Sequence, residues 1–416
     1  MAKLVWLFQQ LIPPLFLAYF YKTWTICTFE IARELAYPYY GSISANQAML
    51  AYLITNGHAV FGHIYSISPT VSIGMISLLY LRLYFLPSSQ SVPPFNAPSS
   101  IQSKKVIFEC LDPEEARKQR LANGLTAEEA DKLTNEPLVN KCHKGKCRGR
   151  WKPARARHCS QCEVCRAGFD HHCALFANCL TAPYMPAFLA LLLYAPLVVL
   201  FHCIPLVAPL TTKAASAYHQ SCTSQWIRDN WWDWRWSWVV AGGPVGRYVG
   251  GLILGWKELD RMEDGGLERL AIGLLTAFGI IVSLIAAALA HSTLAVLREG
   301  NLTVDRERQK SFIRLSRQLA SLSKTNSDQN FQDNLVQRLQ DLYPSRHFYI
   351  PNPTGSGKIV QLPYIFNPYR LETDPMEVIL GKGWNWILPW RALQSGIGDQ
   401  IFNWPLSDEA VKLLKN

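Results

Sequence analysis

The chain has 416 residues, of which 49% are apolar and only 17% charged, with 14 Trp and a formal net charge of +10. Charges gathered between long apolar blocks argue against a soluble globular protein and place the cationic surface beside lipid rather than nucleic acid. Eleven cysteines, odd in number and clustered, argue against a secreted disulfide framework and for a reducing, cytosol-facing metal site.

In chain order, residues 1–100 read as an N-terminal membrane region. The run 4–21, LVWLFQQLIPPLFLAYFY, has no basic start or small-residue cleavage site, so it is read as a retained first span rather than a signal peptide. Its Pro13-Pro14 pair is tolerable where neighbouring groups satisfy the freed carbonyls. Two further apolar stretches follow at 47–65 and 69–86. The second approaches the roughly 20 residues needed to cross about 30 Å of hydrocarbon and is read as a full span. The first is interrupted by Asn56-Gly57-His58 and is read as interfacial or partly inserted.

A Pro/Ser-rich stretch at 87–100 leads into a polar cytosolic linker, 101–136, whose DPEEARKQRL and TAEEADKL pieces predict short exposed helices. Residues 137–188 form the cysteine-rich domain. Between Lys141 and Arg166 it carries nine Lys or Arg against one acid, Glu163, which by the positive-inside rule places it in the cytosol.

The C-terminal membrane region, 187–297, has spans near 187–210 and 268–290. The intervening loop, 211–267, has six basic and six acidic residues and reads as luminal. Its WIRDNWWDWRWSW predicts an interfacial aromatic belt, and the Gly-rich 237–256 a possible re-entrant piece. Residues 298–416 return to the cytosol as a polar, helix-forming tail. Asn301-Leu302-Thr303 is formally a glycosylation sequon but lies on the wrong side of the membrane. PTGSGKIV lacks a phosphate loop's leading glycine and metal-binding hydroxyl, having Asn352 and Ile359 there. The aromatic stretch 366–390 is expected to pack back onto the membrane domain.

The cysteine-rich domain carries the chemistry. It offers Cys142, Cys147, Cys159, Cys162, Cys165, Cys173 and Cys179, with His143, His158, His171 and His172. Structural zinc takes four Cys or His ligands in a tetrahedron. Two Cys₃His sites consume six cysteines and leave one. Cys173 is the natural remainder, because Asp170-His171-His172-Cys173 sets an acid, two imidazoles and a thiol within four residues. A neighbouring imidazole lowers the thiol's effective pKa, and a carboxylate fixes that imidazole's tautomer.

This frame resembles the DHHC family of protein S-acyltransferases, the integral-membrane palmitoyltransferases. The resemblance rests on Pro153-Ala154-Arg155, His158-Cys159, Cys162, Cys165, Asp170-His171-His172-Cys173, Asn178-Cys179 and Phe188. It implies one structural zinc on Cys142, Cys147, His158 and Cys165 and a second on Cys159, Cys162, His172 and Cys179. It further implies catalysis by Cys173, His171 and Asp170, with acyl-CoA as donor. Leu302-Thr303-Val304-Asp305 is similar to the family's Thr-Thr-x-Glu motif. Asn367-Pro368-Tyr369, with Trp384-Asn385-Trp386, is similar to its aromatic C-terminal motif.

There are departures. The first cysteine pair is spaced x₄ rather than x₂, with His143 as a competing ligand; Ala174-Leu175 replaces Pro-Trp; Tyr184 replaces Asn; and no Asp-Pro-Gly follows the second span.

The expected fold is thus an α-helical integral membrane protein of about four transmembrane helices, with the cytosolic two-zinc domain between the second and third. The expected function is transfer of a long-chain acyl group from palmitoyl-CoA to protein cysteines through an acyl-cysteine enzyme. Membrane lipid, palmitoyl-CoA and cysteine-containing proteins are the expected partners, and nucleic acid is not. The alternative is a catalytically impaired zinc-binding membrane adaptor of the same fold. An endomembrane (ER, Golgi or vacuole) or the plasma membrane is the expected location, with both termini and the active site cytosolic.

Overall fold

The computed structural model describes residues 2–31, 59–85, 91–262, 269–322, 329–342, 345–352, 355–363, 367–372, 374–394 and 404–415. Residues 47–58, most of the stretch expected at the interface, lie outside these. The chain divides into two compact units, one of residues 14–78 and 191–290, the other of residues 1–13, 79–190 and 291–416.

Helices α1 (Ala2–Thr25) and α2 (Ala59–Tyr84) come first. Residues 59–65 belong to the same helix as the expected span that follows, since Pro69 sits inside α2 without ending it. In the polar segment, β1 (Phe108–Cys110) precedes α3 (Pro113–Ala122) and α4 (Ala127–Lys132). Each of these two helices starts where the chain can satisfy its own first N–H groups. Asp112 caps α3 ahead of a proline at the first position, and Thr126 with Glu129 forms a capping box on α4.

Further along are α5 (Met185–Cys203), α6 (Val207–Thr223), α7 (Pro244–Met262) and α8 (Leu270–Arg298). Among the described residues three segments are long and apolar enough to cross a membrane: Ile67–Tyr84, Ala182–Thr223 and Leu270–Arg298. Residues 4–21 are helical within α1 but are not among those three.

In the first unit, Ile26, Ile31, Tyr65, Ile73, Leu206 and Ile272 form a core. The segment expected to be a Trp-rich loop between spans is mostly helix among its described residues. Trp231 and Trp232 lie against Gly250 and Gly251 of α7, where a Cβ would stand 2.1 and 2.2 Å from the indoles. Their Nε1 groups donate to the carbonyls of Arg247 and Ser221. Glycine here makes room for a ring, and the helix survives its low propensity because that packing compensates.

In the second unit the polar segment and the tail, far apart in sequence, share one antiparallel sheet. Strand β1 pairs with β8 (Arg346–Asn352), with Phe108 opposite Tyr349, and β8 pairs with β9 (Gly355–Leu362). The all-helical expectation misses this sheet. Its inner face, with Phe348 and Leu362, packs on Tyr369, Ala410 and Leu414. The tail motif around Tyr369 docks onto the sheet, and the residues that follow it reach the membrane helices: Leu371 N donates to the Gly300 carbonyl just past α8, and Leu380 and Trp386 line a cavity with Pro186 of α5. Before the sheet, α9 (Thr303–Leu322) and α10 (Gln329–Leu342) follow α8.

Candidate active site and metal centres

Three short antiparallel hairpins build the site: β2 (Lys141–Cys142) with β3 (Arg150–Trp151), β4 (Arg157–Cys159) with β5 (Val164–Arg166), and β6 (Phe169–Cys173) with β7 (Asn178–Thr181). Successive residues of a strand face opposite ways. His158 and Cys159 of β4 accordingly serve two different clusters.

Cys142, Cys147, His158 and Cys165 bring their ligand atoms within 4.8 Å of one another, and so do Cys159, Cys162, His172 and Cys179. In the first cluster His158 Nδ1 lies 3.6 Å from the sulfurs of both Cys142 and Cys147. In the second, His172 Nδ1 lies 3.6, 3.5 and 3.7 Å from Cys159, Cys162 and Cys179. Cross-strand register sets these meetings, since His158 faces Cys165 and His172 faces Cys179.

The wider x₄ spacing at Cys142 is absorbed by a 3₁₀ turn, Gly145–Cys147, followed by left-handed Arg148 and Gly149. That turn is tied to the next hairpin by Lys146 N donating to Glu163 O at 2.8 Å. A Cβ on Gly145 would come within 2.8 Å of the same carbonyl. Exposed His143 is in neither cluster.

Backbone N–H groups point at the sulfurs, Cys165 N to Cys147 Sγ at 3.1 Å and Cys162 N to Cys159 Sγ at 3.5 Å. Such donors favour thiolates. Three thiolates and one imidazole at this separation suit a tetrahedral zinc ion, and both sets are closed four-ligand sets with no open position.

Asp170, His171 and Cys173 are left outside both clusters. The register of β6 shifts between Phe169 and His171, so Asp170 occupies a bulge, the device that re-aims a side chain out of a regular strand. Its carboxylate is buried, 1% exposed, and its Oδ2 lies 2.7 Å from His171 Nδ1. Its Oδ1 accepts a hydrogen bond from Thr303 N, also at 2.7 Å. Thr303 opens α9, so the helix N-terminus adds its partial positive charge.

Burial disfavours charge on His171, but hydrogen bonds to Asp170 and Cys173 outweigh it and raise the imidazole pKa to about 10. With Nδ1 committed to Asp170, Nε2 is the nitrogen that remains for the thiol. Cys173 is half-buried, and its cross-strand partner Asn178 donates to the Tyr84 carbonyl at 3.2 Å. Phe188 stands edge-on to His171, and Tyr80 donates to the Leu175 carbonyl.

Residues 140–298 match the model of the family described as DHHC palmitoyltransferase. Residues 140–298 are thus similar to a DHHC domain, and that stretch takes in both four-ligand clusters. Shorter matches agree with it: 38% identity over 77 residues to palmitoyltransferase PFA3 of Candida glabrata, covering 16% of this chain and 23% of that protein. Palmitoyltransferase spe-10 of Caenorhabditis elegans is 30% identical over 130 residues, covering 30% and 35%. Palmitoyltransferase ERF2 of Candida glabrata is 38% identical over 79 residues, covering 19% and 22%. The chain spans only 17% to 35% of the length of the curated relatives it matches.

Residues outside the Asp170–Cys173 tetrapeptide hold it in place. Arg155, itself in a left-handed conformation, donates one guanidinium nitrogen to Asp305 and another to the Tyr369 carbonyl at 3.1 Å, and stacks on Trp404 at 4.7 Å. Asp305 also accepts from Leu302 N at 3.1 Å, which fixes the start of α9 over Asp170. The Pro153-x-Arg155 spacing was the available signal. Glu109 and Arg346, which hold Tyr369, had none, since they meet only through the sheet. Tyr184, where the family has Asn, is fully buried beneath the Arg82 guanidinium, 5.5 Å away.

Proposed function

We propose that this chain is a protein S-acyltransferase that carries a long-chain acyl group, such as palmitoyl, from acyl-CoA to cysteine thiols of other proteins through an acyl-Cys173 intermediate. The observation that carries the reading is the Asp170–His171 pair at 2.7 Å beside a cysteine that neither four-ligand cluster takes up.

His171 Nε2 accepts the Cys173 proton while Asp170 stabilises the imidazolium. The thiolate attacks the thioester carbonyl of acyl-CoA, the carbon–sulfur bond to CoA breaks, and the departing thiolate takes the proton from His171. In the second half His171 removes the proton of the incoming protein thiol. That sulfur attacks acyl-Cys173, and the Cys173 thiolate leaves and is reprotonated. Zinc held by the two clusters would cross-link the hairpins and supply no chemistry to the transfer.

The nine cationic groups between Lys141 and Arg166 would attract the CoA phosphates and support a cytosolic placement. In a four-helix arrangement α1 would be the first span, added to the three apolar segments, and the acyl chain would lie between membrane helices, gaining about 0.8 kcal/mol per methylene.

The test is to incubate purified full-length protein with long-chain acyl-CoA and measure hydroxylamine-sensitive acyl label and zinc on one sample. Label with two zinc ions per chain is expected. Two zinc ions with no label would replace this reading by that of a zinc-braced membrane adaptor.

A further inference from the structure

The tail segment 374–394 contributes nothing to the transfer described above, and its surface is built for something else. Helix α11 (Pro375–Leu380) buries Ile379 and Leu380, and Trp386, 6% exposed, anchors the turn that follows. Gly381 and Gly383 both adopt positive φ, +91° and +64°, on either side of the exposed Lys382. The segment also leaves large apolar groups exposed: Val378, Trp384 and Trp390 are 53%, 74% and 56% exposed.

Lys382, Trp386 and Arg391 line a cavity of about 260 Å³ together with Pro186. Pro186 lies in the first turn of α5, inside the segment Ala182–Thr223 that is long and apolar enough to cross a membrane. The cavity thus stands where an apolar helix starts. Exposed indoles next to Lys and Arg at such a point match the membrane–water boundary, where rings sit among headgroups and cations meet lipid phosphates.

We infer that residues 374–394 are a membrane-surface clamp: Trp384 and Trp390 seat at headgroup level, and the Lys382–Arg391 cavity receives the phosphate of an anionic phospholipid in the leaflet that α5 enters. Glu377 and Asp374, exposed at the start of α11, belong to the part of the segment that precedes Lys382. The inference rests on the chain being embedded in a membrane and is independent of acyl transfer at Cys173.

The experiment uses full-length protein in nanodiscs of phosphatidylcholine with or without phosphatidylserine. The photo-crosslinking residue p-benzoylphenylalanine replaces Trp384, Trp390 or, as a control, Leu133 at the end of α4. After irradiation, lipid adducts are expected at 384 and 390 and not at 133, in higher yield with phosphatidylserine.

The pair K382E/R391E is expected to lower that yield at least about fivefold in phosphatidylserine discs, with zinc content unchanged. Absence of lipid adducts at 384 and 390, a yield at 133 equal to theirs, or protein adducts in place of lipid would overturn the inference. So would a K382E/R391E protein that keeps its lipid yield and loses affinity for acyl-CoA, because the cavity would then be reading the donor's phosphates.

Discussion

At the scale of single residues, the site depends on where one carboxylate points. Asp170 sits in a strand bulge, is buried, and divides its two oxygens between His171 Nδ1 and Thr303 N. Asp170→Asn keeps the shape but removes the charge that holds the imidazolium, and an amide that turns its NH₂ toward His171 would impose the wrong tautomer. The expected outcome is a loss of acyl loading of at least about a hundredfold, with both zinc ions retained; metal content and loading rate measured together check this.

The chemistry proposed for Asp170, His171 and Cys173 comes from the sequence, because four consecutive residues hold an acid, imidazoles and a thiol. The bulge does not, since an extra residue in a strand leaves no mark in composition or alternation. Nor does the second partner of Asp170, because Thr303 contributes through its backbone N–H, which every residue but proline possesses.

Between elements, the site is held by contacts that reach α9 and the tail. Arg155 spans Asp305 and the Tyr369 carbonyl, and its side chain is 6% exposed against 16% for Asp305. Removing one member of such a buried pair leaves the other uncompensated and costs about 3 kcal/mol. Arg155→Ala is expected to lower the thermal midpoint by several degrees and to reduce loading as the start of α9 shifts from Asp170. Arg155→Lys restores the charge without the fork and should fall between, as differential scanning fluorimetry can show.

Gly300 is a second position on which this docking depends, with φ +75° and a would-be Cβ 2.0 Å from the Leu371 carbonyl. Gly300→Ala should destabilise by more than about 1 kcal/mol, and hydrogen exchange should show lost protection around 367–371 before the hairpins open. The helices flanking these contacts follow from caps and periodicity, as in α3 and α4. The sheet does not. Phe108–Cys110 is too short to announce a strand by alternation, and its partner lies more than 200 positions away.

For the molecule as a whole, the two Cys₃His clusters interleave along the chain, so each would brace a hairpin that the other also touches. Cys142→Ser and Cys162→Ser are each expected to remove one zinc per chain, and a strong chelator to remove both together with cooperative melting, measured by metal analysis and circular dichroism. Ligand number and spacing point to two metal sites, while their interleaved ligand sets follow from the family resemblance. The count of membrane spans was less legible: composition marks three segments clearly, while the glycine- and tryptophan-rich region between two of them folds as helices whose indoles fill glycine gaps, a tertiary fit that hydropathy does not record.

The central claim, an acyl group carried on Cys173, is tested most directly by peptide mass spectrometry of protein quenched during incubation with long-chain acyl-CoA. A single thioester-linked acyl group on Cys173, absent from Cys173→Ser with two zinc ions still bound, is the predicted result. Equal loading of wild type and Cys173→Ser, or an acyl group mapped to another cysteine alone, would contradict it.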